Sequence, residues 1–291
     1  MARVRLALDG LSVGDAFGEC FFQPALAQTL LRGERSIPPA PWPYTDDTEM
    51  ALGITEVLER HGRIHQDDLA HVFARRYRLN PHRGYGATAH QILAAIHRGE
   101  RWHRVAPAAF GGQGSMGNGS AMRVAPVGAY FADDYAAVVE HARASAAVTH
   151  AHPDGHAGAV AVAIAAAWAW RNRENPVRSG TDMLETVLHH TPEGGTRRIL
   201  VHAVEIPPEA SPVTAASILG NGSKVVCWDS VPFALWCAAR HHDHFENALW
   251  ATLTALGDRD TTCAMVGGIV ALATGHDAIP REWISAREPL C

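Results

Sequence analysis

Two short acidic stretches about 210 residues apart hold the residue types in this chain most able to do chemistry. One is Tyr44-Thr45-Asp46-Asp47-Thr48, the other Gly257-Asp258-Arg259-Asp260-Thr261. Each sets two carboxylates beside a hydroxyl and immediately precedes an apolar-periodic segment. Hard divalent cations take about six or more oxygen ligands from carboxylates, hydroxyls and waters. Neither stretch contains histidine or cysteine, which argues for Mg²⁺ or Mn²⁺ over zinc. Brought together by the fold, the stretches form two halves of one oxygen-lined site, able to hold two ions that share a carboxylate at roughly 3.5–4 Å separation. Each alone also fits an ordinary helix start. Thr45 is a good N-cap, and Asp46 and Asp47 favour the positive end of a helix dipole. Asp258-Arg259-Asp260-Thr261 admits the same account.

Between them runs Phe110 to Arg123, with five glycines from Gly111 to Gly119. Such a stretch lets backbone N–H groups approach a ligand closely, as a diphosphate requires. The Walker lysine and the strand-linked dinucleotide pattern are both missing, so composition alone equally describes a flexible surface loop. Thr149-His150 is followed by His152-Pro153-Asp154-Gly155, read as a turn that sets a histidine at a cleft. A lone histidine is as readily an ordinary, satisfied polar residue.

The elements that must position these groups are helices. Apolar residues recur at helical spacing, as at Met50, Ile54, Val57 and Leu58, at Val138, Val139 and Ala142, and at Phe245, Leu249, Leu253 and Leu256. No stretch sustains the alternation of a strand. Ala157 to Trp170 is apolar on every side, which predicts a helix at the centre of a helical domain. Strand–helix alternation is missing too, so an α/β fold is disfavoured. The expectation is an all-α, single-domain chain over residues 1–291. Breaks fall at Pro38 to Pro43, Ala109 to Gly119, His152 to Gly155, Pro192 to Gly195 and Pro207-Pro208, none long enough for a domain linker. The first helix places Gly10, Gly14 and Gly18 on one face, where they admit another backbone closely. Asp15 and Glu19 are also four apart and, on this stretch alone, read as the solvated acidic edge of an amphipathic helix.

Composition narrows the classes further. At 291 residues and 47% hydrophobic content the chain can bury a sizeable core, which excludes disorder. A net charge of -5 and a pI near 6.4 show no basic patch for strong non-specific nucleic-acid binding. The 18 histidines are scattered, and a zinc reading is poor. Five cysteines without a Cys-x-x-Cys read mostly as small core residues of a reducing compartment. Asp9 and Asp15 interrupt any signal-peptide core. The longest apolar run, residues 157–170, is too short to span a bilayer. A cytoplasmic protein without a membrane partner, and a monomer, is expected.

Taken together, these residues resemble the ADP-ribosylglycohydrolase family over nearly the whole chain. The matching motifs are Gly14-Asp15-Ala16-Phe17-Gly18, Tyr44 to Thr48, Arg83-Gly84-Tyr85-Gly86, Gly114 to Arg123, Thr149-His150, Leu219-Gly220-Asn221-Gly222 and Gly257 to Thr261. Arg83 to Gly86, Phe110 with its glycine-rich loop, and Asn221 before Ser230-Val231-Pro232 look closest to the branch that cleaves serine-linked ADP-ribose. The resemblance implies an all-α orthogonal helical bundle with two Mg²⁺ or Mn²⁺ ions. It implies Thr45, Asp46 and Asp47 on one ion, Asp258 and Thr261 on the other, and Asp260 bridging. Gly114, Ser115, Met116, Gly117, Asn118 and His150 would line the diphosphate and distal ribose, and Phe110 would stack on adenine. Gly86, Gly112 and Asn221 complete the substrate-binding set. Glu19, Asp47 and Asp260 are the catalytic candidates.

The implied reaction is hydrolysis of the bond between ADP-ribose and an acceptor, with a protein, a small molecule and a nucleic-acid end all open as that acceptor. Its alternative is a catalytically silent ADP-ribose binder. Three positions depart from the pattern. Phe22 stands where the serine-cleaving branch has a catalytic glutamate, Met116 where it has a tyrosine, and Arg259 where a small threonine is usual. The first departure leaves Glu19, one turn earlier, Asp47 or a bound water as the source of the acid and puts acceptor specificity in question.

Overall fold

The computed structural model describes residues 1–175, 177–207 and 209–291. Among these residues the chain forms sixteen α-helices and no strand, as the periodicity predicts. They are α1 (Ala2–Cys20), α2 (Pro24–Leu31), α3 (Asp46–His61), α4 (Gln66–Leu79), α5 (Ala87–His97), α6 (Trp102–Gly112), α7 (Ala125–Tyr130), α8 (Tyr135–Ala147), α9 (Pro153–Asn172), α10 (Gly180–His190), α11 (Gly195–Glu205), α12 (Pro212–Leu219), α13 (Cys227–Arg240), α14 (Phe245–Leu253), α15 (Arg259–Thr274) and α16 (Arg281–Ala286). Strand-type pairing appears only as two isolated bridges among the described residues, Trp42 with Arg287 and Gly117 with Val226. No helix of the described residues is long and apolar enough to cross a membrane.

The centre is built from α1, α9, α13 and α15. Residues 157–169 of α9 are all buried, which matches a helix apolar on every side. The pair that positions the site is α1 with α15, which run antiparallel with their backbones in contact. A Cβ on Gly10 would lie 2.3 Å from the carbonyl oxygen of Gly267, one on Gly14 2.1 Å from that of Cys263, and one on Gly18 2.4 Å from that of Arg259. Gly267 returns the arrangement, with a Cβ there 2.2 Å from the Gly10 oxygen. The four-residue glycine spacing therefore sets a register, and that register places Asp15 and Glu19 level with the start of α15.

Several local expectations need correction. Asp15 is completely buried, so α1 has no solvated acidic edge there. His152 to Gly155 is no free turn: His152 caps α9 and Pro153 opens it, the position where a missing N–H costs nothing. Leu256 lies beyond α14, in the left-handed region at φ 58°. Of the break at Pro207-Pro208, Pro208 lies outside the described residues. Four cysteines are buried and Cys291 is exposed, all of them free.

An aromatic cluster braces the back of α1. Phe17 stacks on Trp283 at 4.3 Å between centroids and meets Trp250 at 5.0 Å and Trp42 at 5.3 Å. Trp42 is also stitched to the last residues, its N–H donating to Ala286 O at 2.7 Å while its carbonyl accepts from Glu288 N at 3.0 Å. Glu288 accepts from Tyr44 N at 2.7 Å and pairs with Arg83. The Arg83 guanidinium lies 4.0 Å over the Tyr44 ring. The loop that delivers Thr45 to α3 is thus held from two distant parts of the chain.

Candidate metal centre

Three elements converge on one point. α1 supplies Asp15 and Glu19, the start of α3 supplies Thr45, Asp46 and Asp47, and the start of α15 supplies Asp258, Asp260 and Thr261. Carboxylate oxygens of Asp15, Asp47 and Asp260 all lie within 4.8 Å of one another. Thr261 Oγ1 donates to Asp47 Oδ1 at 3.4 Å, a direct link between the two acidic stretches.

Asp15 is the member that sequence reasoning left out of the site. Its carboxylate accepts from Thr45 N at 3.0 Å, Thr45 Oγ1 at 2.8 Å, Thr48 N at 3.1 Å and Thr48 Oγ1 at 2.6 Å. Those bonds occupy both of its oxygens, so Asp15 orients the first turn of α3 from behind. The signal was present: an acid directly after Gly14, on the face where glycines admit another backbone.

The two helix starts differ in a telling way. Thr45 does cap α3, accepting from Asp47 N at 3.3 Å. Asp258 occupies the N-cap position of α15, but its side chain makes no capping bond. Instead it accepts from Asn118 Nδ2 at 2.6 Å, and Asn118 donates also to Ser230 Oγ at 2.9 Å. A capping role accounts for the first start and fails at the second.

Asp47 Oδ2 and Asp260 Oδ1 are buried and have no hydrogen-bond partner among the described residues. An ionised oxygen in that state is costly unless a cation faces it. The donors are all hard oxygens, and the residues present fit a divalent cation of the Mg²⁺ or Mn²⁺ kind. Without one, burial pushes every carboxyl of the cluster up. Asp15 rises to about 7 and Asp258 to about 8, each by burial first and then by the charge of Asp260. Asp46 and Asp47 lie well above the usual range, for burial and for the neighbouring carboxylates. Asp260 is raised by burial. Glu19, half-buried at the edge, rises to about 7 through burial and Asp260, against the pull of Arg259.

These shifts set a pH dependence. Carboxyls raised in the folded state contribute stability that is present below their unfolded value of about 4. That contribution is lost as pH climbs through the folded values near 7 and 8. Cations and protons compete for the same oxygens. Thermal melts are expected to show a larger gain from Mn²⁺ over chelator at about pH 8 than at about pH 5. An equal gain at both would count against a cation among these carboxylates.

The glycine-rich loop lies against both α9 and the 220–226 segment. Gly114, at φ 74°, tolerates no side chain, since a Cβ would sit 2.7 Å from His152 N. Three of its N–H groups are committed within the protein: Gly114 to Ala109 O, Gly117 to Ser115 Oγ and Asn118 to Val225 O. The number free for an anion is correspondingly smaller than composition suggests. Met116 accepts from Cys227 N through its carbonyl at 3.0 Å. His150, 8% exposed, lies under the loop, its Nε2 3.3 Å from where a Cβ of either Gly117 or Gly119 would be. Its pKa falls well below the usual value through burial and the nearby Arg123, which keeps it neutral.

Phe110 sits where α6 breaks, at φ 54°, and is 59% exposed. Gly112 and Gly86 are exposed, Gly86 at the start of α5. The Asn221 amide is used inside the protein, donating to Ala255 O at 2.9 Å and accepting from Ser223 N at 3.2 Å. Its carbonyl accepts from Asp258 N at 3.1 Å, so Asn221 shapes the turn that delivers Asp258. Two of the departing residues meet: the Arg259 guanidinium lies 4.2 Å over the Phe22 ring and donates to Phe21 O at 2.9 Å.

A profile of the ADP-ribosylglycohydrolase family matches residues 1–289. The chain is similar to ADP-ribosylhydrolase ARH3 of Mus musculus, 31% identical over 97% of this chain and 86% of that one. It is similar also to the ADP-ribosyl-(dinitrogen reductase) glycohydrolase of Rhodospirillum rubrum, 26% identical over 95% and 87%. Among solved structures, an ADP-ribosylglycohydrolase-related protein complex superposes with a TM-score of 0.68 at 24% identity, over 98% of this chain and 92% of that one. That likeness shows the fold.

Proposed function

The chain belongs to the ADP-ribosylglycohydrolase family, and from that premise we propose that it hydrolyses the glycosidic bond between ADP-ribose and an acceptor, with a serine-type O-linkage favoured. The observation that carries this reading is the buried Asp15–Asp47–Asp260 cluster with two unpartnered carboxylate oxygens. Thr45, Asp46 and Asp47 would hold one divalent ion, Asp258 and Thr261 a second, and Asp260 both. When bound, such ions supply positive charge for the ribose hydroxyls and lower the pKa of a nearby water.

The chain's own groups do the rest. Cleavage passes through an oxocarbenium-like state, whose positive charge the surrounding carboxylates stabilise. Glu19, half-buried at the edge of the cluster with one side open, is placed to protonate the leaving oxygen. Water adds to the anomeric carbon, its proton passes to a carboxylate, and free acceptor and ADP-ribose result. Asp15 holds Thr45 and Thr48 in place throughout.

The test is a panel of serine-linked and arginine-linked ADP-ribosyl peptides, O-acetyl-ADP-ribose and ADP-ribosylated nucleic acid, with added Mg²⁺ or Mn²⁺. Release of free ADP-ribose from one member names the acceptor. A second reading, the silent binder, draws on Phe22 in place of the branch glutamate. It predicts tight ADP-ribose binding and no release from any substrate.

The exposed Phe110 ring gives a separate expectation. Base stacking on an aromatic side chain is worth about 1–3 kcal/mol, so Phe110→Ala should weaken ADP-ribose binding by about tenfold or more. Folding stability should hardly change, because the ring buries little. Calorimetric titration with ADP-ribose checks the affinity and a thermal melt the stability, and an unchanged affinity would remove Phe110 from the site.

A further inference from the structure

Arg123 is completely buried and forms no salt bridge among the described residues, Asp46 acting on it only at a distance. Such a placement is costly for a charge and calls for a reason. The guanidinium packs 4.6 Å over the Phe73 ring, reaches Met50 Sδ at 3.4 Å, and donates to Ser145 O at 3.1 Å. Its remaining bond, 2.9 Å long, goes to Thr149 Oγ1. Thr149 Oγ1 in turn lies 2.7 Å from His150 Nδ1.

Donor and acceptor counting favours one direction for this chain. A charged guanidinium only donates, so Thr149 Oγ1 accepts from Arg123. Burial lowers the Arg123 pKa to about 9, which still leaves it charged at neutral pH. The Thr149 hydroxyl is itself buried, and its one proton has His150 Nδ1 as its partner. Donation of that proton, which otherwise has no acceptor among the described residues, makes Nδ1 the acceptor and puts the ring proton on Nε2. Nε2 makes no hydrogen bond to the described residues and faces the space beside Gly117 and Gly119, where any Cβ would crowd it.

We propose that Arg123 is a positioning residue which, through Thr149, fixes His150 as the Nε2–H tautomer and so presents an N–H donor to an oxygen of bound ADP-ribose. The inference rests on the function proposed above for its ligand, and on the hydrogen-bond chain alone for the tautomer. Neutral histidine in the other tautomer would aim a lone pair at that oxygen and repel it.

The test reads the ring directly. Two-dimensional ¹⁵N–¹H spectra of the ligand-free protein, assigned against His150→Gln, report which nitrogen carries the proton. Wild type is expected to show it on Nε2. Thr149→Val keeps shape and removes the hydroxyl, so a large share of Nδ1–H should appear. ADP-ribose affinity, measured calorimetrically with Mn²⁺ present, should fall about tenfold. Thr149→Ser should restore both, which a purely packing role for the side chain would not require. A wild-type proton on Nδ1, or a Thr149→Val protein with unchanged tautomer and affinity, overturns the proposal. A correct tautomer in a wild type that ignores ADP-ribose overturns the proposed function and the ligand half of this inference together, while the Arg123–Thr149–His150 chain stands.

Discussion

Replacing Asp260 by asparagine is expected to lower ADP-ribose release by about 10³-fold, the scale of several kcal/mol of lost charge stabilisation. The substitution is nearly isosteric, so the loss reports charge and ligation more than shape. Asp260 is also a charge that raises its neighbours: its field acts on Asp15, Glu19, Asp46, Asp47 and Asp258. Neutralising it relieves that repulsion. The same variant should therefore melt higher than wild type in chelator at about pH 8 and lose much of its gain on adding Mn²⁺. Activity down, apo stability up and cation response diminished form one signature, and stability falling with activity intact would refute the bridging role. A site that is costly in the empty fold and retained anyway is a trade of stability for function.

The largest stability effect should come from Gly14→Ala. The added Cβ meets the Cys263 carbonyl at 2.1 Å, and that carbonyl belongs to a helix backbone and cannot rotate away. Separating α1 from α15 would be the relief, at a cost of at least about 3 kcal/mol. Denaturant or thermal unfolding would show this as a drop of roughly 6–12 °C. Gly86→Ser serves as the comparison: its Cβ meets nothing within 4 Å, its backbone already suits a side chain, and serine is a good N-cap. It should stay within about 0.5 kcal/mol of wild type. Equal behaviour of the two variants would mean that the glycine register does not set the approach of the helices.

What was legible beforehand was local. The helical period, the buried α9, the glycine face of α1 and both acidic starts are short-range patterns, and each appears where the residues suggested. Burial of a carboxylate is a different matter, because it depends on what packs across from it. Asp15 looked solvated on its own helix and becomes buried only once α15 and the Thr45 loop close over it. The capping account of the acidic starts could not be settled by spacing either. Thr45 caps and Asp258 does not, and the difference lies in Asn118, which is 140 residues from Asp258 in sequence. Asn221, expected from the sequence in the substrate-binding set, has a further part that spacing does not show: its amide holds the turn before Asp258.

The antiparallel pairing of α1 with α15 also bears on how the chain is made. About 245 residues separate Asp15 from Asp260. At roughly 5–20 residues per second on the ribosome, some 12–50 s pass between the synthesis of one and the other. During that interval α1 shows its glycine face and a carboxylate destined for burial, with nothing to close over them. Contacts this distant in sequence form slowly and late. The nascent chain thus carries half of its acidic cluster unmatched throughout that interval, and the Asp15–Asp47–Asp260 cluster closes only as a late event of folding.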